Sequence, residues 1–109
     1  MSIDVDQLFG QMVTAGARAF GVGWAEAEKF AKIEFKTLAQ RIEAIGEGLA
    51  RNDFDVLTGK LLMAMQVNTA TAAIAGATTL VLLAVEAAIN AVLATVKDAV
   101  NAALGVALL

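Results

Sequence analysis

Apolar positions along this chain recur at steps of three and four, the period of a helix that buries one face. In residues 3–20 they are Val5, Leu8, Phe9, Met12, Val13, Ala19 and Phe20, with Asp4 and Asp6 near the positive end of the helix. The pattern predicts a short amphipathic helix, ended or bent at Gly21-Val22-Gly23, where glycine disfavours helix. A second helix is predicted over 24–50. Its stripe of Ala31, Phe35, Leu38, Ile42, Ile45 and Leu49, extended upstream by Trp24 and Ala27, has the a/d spacing of a helix that packs lengthwise on another. The opposite face carries Lys29, Lys32 and Lys36, then Gln40, Glu43 and Glu47, with Ile33 at its edge. That face reads either as a solvated surface or, being basic first and acidic later, as one complementary to an antiparallel copy.

Gly46 and Gly48 weaken the end of this helix, and Arg51-Asn52-Asp53-Phe54-Asp55 reads as a stop followed by a cap, with Asp53 as N-cap and Asp55 in the first turn. So short a connection makes the next helix antiparallel to the second. Neither proline nor paired glycine interrupts residues 54–105, so one continuous third helix, about 75 Å long, is predicted. The expected fold is all-α: a single domain, 1–109, built as a long antiparallel helical hairpin with an N-terminal amphipathic helix, and expected to oligomerise.

The need to oligomerise comes from the third segment. At 100° per residue Asn68, Thr79, Glu86, Asn90, Lys97 and Asn101 fall within about 60° of one another, one narrow polar stripe on an otherwise apolar rod. A single partner helix cannot cover such a rod, which calls for sister copies or lipid. From Leu61 to Val85 there is no charged residue, a span of about 37 Å as helix against roughly 30 Å of bilayer core. Gln66, Asn68, Thr69, Thr71, Thr78 and Thr79 dilute it, and a buried core helix reads the same way. The stripe is then either the solvent-facing line of an assembled helix or a polar seam inside a membrane. Small pairs such as Ala72/Gly76 and Ala84/Ala88 permit close helix approach in both cases.

Composition narrows the chemistry. The chain is 59% hydrophobic and 17% charged, with 24 alanines and no His, Cys, Pro or Tyr, which excludes disulfides, imidazole or thiolate catalysis and Cys/His zinc sites. Sixteen of its nineteen charges lie in residues 1–60. A net charge of −3 with eight dispersed basic residues argues against nucleic acid. The acidic N-terminus leads into no compact apolar run of the secretory type. The carboxylate pairs Asp53/Asp55, Glu26/Glu28 and Glu43/Glu47 have ordinary roles as caps or surface charges, and Met63 and Met65 fit adaptable packing better than soft-metal ligation.

The sequence therefore predicts a protein without catalytic activity, cofactor or metal, whose partners are its own copies and a lipid membrane. It would associate with or insert into that membrane as a component of the pore, conduit, phage lysis or ejection, or membrane-remodelling type. The alternative is a soluble scaffold or filament subunit, cytoplasmic or in a virion, whose apolar helix other copies bury.

Overall fold

The computed structural model describes residues 3–109. These residues form four α-helices and a single 3-10 turn, with no strand among them: α1 (Val5–Phe20), the turn Gly21–Gly23, α2 (Trp24–Ala50), α3 (Val56–Ala77) and α4 (Leu82–Leu104). Successive helices run antiparallel. Asp6 of α1 meets Lys36 of α2, Glu26 near the start of α2 meets Thr79 just after α3, and Gly46 near the end of α2 meets Leu104 at the end of α4. Packing of α1 on both α2 and α4, and of α2 on α3, closes a four-helix bundle in which α3 and α4 are the least closely packed of the neighbouring pairs. Its dimensions are 41 × 22 × 18 Å, the long one set by α2, whose 27 residues span about 40 Å.

Two reversals replace the extended hairpin. At the first, Gly21 adopts φ 55°, a left-handed backbone that glycine reaches without strain, and α1 folds back along α2 instead of extending it. Gly16 makes that return close: a Cβ there would lie 2.7 Å from the ring of Phe35 and 3.0 Å from that of Trp24.

The second reversal divides the expected 54–105 helix. Thr78 and Val81 are extended, so α3 stops at Ala77 and α4 starts at Leu82. Thr78, Thr79 and Val81 are β-branched and have little helix propensity. Thr78 turns its hydroxyl on the backbone, donating to the Ile74 carbonyl (2.8 Å) and accepting from the Leu80 N–H (3.3 Å). Glu26 supplies the tertiary acceptor, taking hydrogen bonds from the Thr79 N–H (2.6 Å) and hydroxyl (2.8 Å). The uncharged run 61–85 is thereby shared between two helices, and no helix among the described residues is long and apolar enough to cross a membrane.

Between α2 and α3 the turn differs in detail from the sequence reading. Asp55, not Asp53, is the N-cap, accepting from the Thr58 N–H at 2.8 Å. Asp53 pairs instead with Arg51 (3.2 Å), and Asn52 takes the left-handed conformation (φ 58°) that ends the preceding helix. Asp4 caps α1 through the Gln7 N–H.

Phe35, Met12, Leu38, Ile42, Ile74, Val85, Ile89, Val92 and Val100 form the fully buried centre. The bundle exposes 5984 Å2, close to the roughly 5,700 Å2 of a compact monomer of this mass, so one copy covers much of the apolar surface that a long hairpin would have left bare.

Candidate functional site

Of the residues singled out by spacing, the α2 stripe lies inside the bundle. Ala31, Phe35, Leu38, Ile42 and Ile45 are buried, and Trp24 and Leu49 are half-buried at its two ends. Trp24 leans on Phe20 across the first reversal, ring centroids 5.9 Å apart.

The six polar residues do not form one stripe. Asn68 is exposed on α3, Thr79 lies in the second reversal against Glu26, and Glu86, Asn90 and Lys97 are exposed on α4. Asn101 holds the C-terminal tail: its side-chain oxygen accepts from the Leu109 N–H (3.0 Å) and its amide donates to the Leu109 carbonyl (3.4 Å). That tail tucks Leu108 into the core beside Gly59. The break at 78–81 resets the helical phase, so a projection carried through it loses its meaning.

The unusual surface is at the end where both reversals meet. Gly23 lies against Leu80, and Glu26 ties α2 to Thr79, so the 21–23 and 78–81 connections are neighbours. Val22 is fully exposed there, joined by Val81 (68% exposed), Leu82 (55%) and Leu83 (76%). Bundle connections are ordinarily polar. At the opposite end Arg51, Asn52, Asp53 and Asp55 are all exposed. The connections are thus polarised along the axis, apolar at one end and charged at the other.

Backbone polarity at the apolar end is partly satisfied from within. Thr79 N–H is taken by Glu26, Leu80 N–H by Thr78, and the Val81 carbonyl accepts from the Val85 N–H at 3.1 Å. The two Thr79 bonds stabilise the ionised carboxylate of Glu26 and hold its pKa below the ordinary 4.5. In the same way Lys36 holds Asp6 low through a 2.7 Å bond and its charge, and the Thr58 cap lowers Asp55.

A second surface is the outer side of α3. This helix is apolar nearly all round, and Lys60 is its only charge. Leu57 (77% exposed), Leu61 (61%) and Met65 (57%) stand on its outer side, a larger apolar display than scattered single residues provide.

Between α1 and α4 runs an open groove of about 790 Å3, lined by Gly10, Thr14, Ala15, Ala91, Thr95 and Ala99, with Arg18 its one charged group. It brings together no acid and base, and no three potential metal ligands converge among the described residues. None of the carboxylate pairs faces it.

Fold and surface together define a class: an all-helical antiparallel bundle with exposed apolar surfaces at one end and along α3. Comparison with protein-family models, with curated proteins and with solved structures finds no match.

Sequence reasoning did not single out Val22, Val81, Leu82 or Leu83 as a surface, and it gave Glu26, paired with Glu28, only the role of a cap or surface charge. Its one available signal was the β-branched cluster Thr78, Thr79 and Val81, whose low helix propensity is a far weaker mark of a break than proline.

Proposed function

We propose that this chain is a non-enzymatic helical module that attaches to the surface of a membrane by its apolar end. The observation that carries this reading is the polarity of the bundle: both connections at one end present exposed Val and Leu, while the other end is charged. A projecting knob of aliphatic side chains is matched by a fluid bilayer, which closes around any convex shape. Its flanks are acidic on balance, with Glu26 in the first turn of α2 and Glu86 in the second turn of α4 against Arg18 in the last turn of α1. Attachment therefore rests on apolar insertion rather than on anionic lipid. At about 1.5 kcal/mol per side chain, four inserted residues supply on the order of 6 kcal/mol, the reversible range of a single myristoyl chain.

Flotation with neutral phosphatidylcholine vesicles tests this. The native chain is expected to float with vesicles equally at low and high salt, and Val22→Asp with Leu83→Asp to remain at the bottom while keeping its helical circular dichroism. A native chain that stays with the bottom fraction refutes the reading.

The second reading, a soluble scaffold subunit, is favoured by a different observation, the exposed apolar side of α3.

A further inference from the structure

We infer that the outer side of α3 is the docking surface for a second copy of this chain, with the two α3 helices antiparallel about a twofold axis at Asn68. This contact lies on the flank of the bundle and stands independently of membrane attachment.

Leu57, Leu61, Met65, Asn68, Ala72 and Gly76 are all exposed and project within about 100° of one another. Along that line the side chains are sorted by size. The N-terminal half carries the large ones, the C-terminal half the small ones, and the polar residue sits between. A parallel copy would set large against large and leave gaps opposite the small half. An antiparallel copy centred on Asn68 does the reverse. Leu61, seven residues before Asn68, comes opposite residue 75, between Ala72 and Gly76 of the second copy. Met65, three before, comes opposite residue 71, beside Ala72. The surface is self-complementary in the sense a twofold interface requires. Space is available for it, since a Cβ built on Gly76 meets nothing within 4 Å.

Asn68 on the axis faces its own twin, and two side-chain amides each donate to and accept from the other. A single such pair in an apolar contact fixes register, because any shift leaves both amides unpaired. Charge agrees with the same register. Lys60 makes no ion pair. Eight residues before Asn68, it comes opposite Gly76 of the second copy. Glu86, also without an ion pair, lies in the second turn of α4, level with the last turns of α3. On α4, Glu86 is five helical turns from Leu104, so the two share a side, and Leu104 reaches Gly46 of α2, away from the α1 groove. Lys60 of each copy is thereby brought within side-chain reach of Glu86 of the other.

The contact is large enough to matter. The α3 helix is about 33 Å long and the bundle about 20 Å wide, which gives on the order of 650 Å2 per copy against roughly 800 Å2 per partner in a standard stable interface.

The absence of cysteine makes the test clean. With vesicles absent, Asn68→Cys under mild oxidation is expected to form a disulfide-linked dimer at least tenfold faster than Ala17→Cys, which is exposed on α1. Adding Gly76→Leu, which fills the small half without touching the bundle, should remove that advantage while the monomer stays folded by circular dichroism. In sedimentation equilibrium, Lys60→Glu and Glu86→Lys should each weaken dimerisation about tenfold, and the double reversal should restore it. Equal cross-linking at the two cysteines, a native chain that is monomeric at 100 µM, or a double reversal no better than the singles overturns the inference. A face that serves lipid instead shows as a monomeric native chain whose flotation is lost in Leu61→Asp, and that result also overturns it.

Discussion

Glu26 shows how much one side chain decides. Its carboxylate takes both the N–H and the hydroxyl of Thr79, 53 residues away in sequence, and so fastens the start of α2 to the second reversal. Because those bonds lower its pKa in the folded chain, the stability they provide is present above the ordinary value of 4.5 and is lost as pH falls through the depressed value. An NMR titration should place the Glu26 midpoint below 4.5, and Glu26→Gln should flatten part of the acid limb of stability measured by urea unfolding between pH 3 and 6. A midpoint at or above 4.5 would mean that the clamp does not persist in solution. Gly16 is the second decisive residue, since its missing side chain lets α1 reach the rings of Phe35 and Trp24. Gly16→Val forces buried Phe35 aside and should cost about 1–3 kcal/mol in chemical unfolding, despite the better helix propensity of valine. Truncating the ring itself, Phe35→Ala, should cost about 3–5 kcal/mol, because Phe35 is fully buried.

At the scale of elements, α2 was legible because its pattern is strong. A stripe at steps of four and three, glycines near the end and a polar turn after it mark a helix over the residues 24–50 that the structure shows helical. Its stripe lies inward, where α1 and α3 pack on α2. The third segment was not legible in the same way. Its hydrophobicity has almost no preferred side, so periodicity could not report a break, and the only remaining cue was the low helix propensity of Thr78, Thr79 and Val81. Local preference there is weak and the tertiary contact with Glu26 is strong. Replacing Thr78 and Thr79 by alanine removes both the β-branching and the hydroxyl bonds, and should loosen the connection enough to raise amide hydrogen exchange across 78–84 with little change elsewhere. The first reversal depends on backbone geometry alone. Gly21→Ala places a Cβ at φ 55° and should destabilise the bundle by about 1 kcal/mol or more in thermal unfolding.

For the molecule as a whole, compactness and polarity are the two consequences. The bundle has a Cα radius of gyration of 13.5 Å, and small-angle scattering of the monomeric Gly76→Leu chain should return a value near it, whereas the extended hairpin expected from an unbroken 54–105 helix would be far larger. If two copies pair through antiparallel α3 helices, the twofold axis carries their apolar ends to opposite poles. With the proposed membrane attachment, such a dimer would touch two membrane surfaces at once. The native chain should then cluster neutral vesicles, seen as a rise in turbidity, while Gly76→Leu should bind vesicles without clustering them. Clustering that persists in that variant would separate vesicle bridging from this interface.

The sequence by itself determined the helical class, the span and inward stripe of α2, the polar turn at 51–55 and the absence of imidazole and thiol chemistry. All four follow from local propensity or composition, which need no knowledge of neighbours. Only the tertiary structure decided where the chain doubles back, which end is apolar and how the six polar residues are scattered. Those depend on contacts between residues far apart in sequence: Glu26 with Thr79, Gly16 with Phe35, Gly23 with Leu80. A helix whose hydrophobicity has almost no preferred side carries no internal record of which side is buried, and that choice was made by the neighbours it acquired on folding.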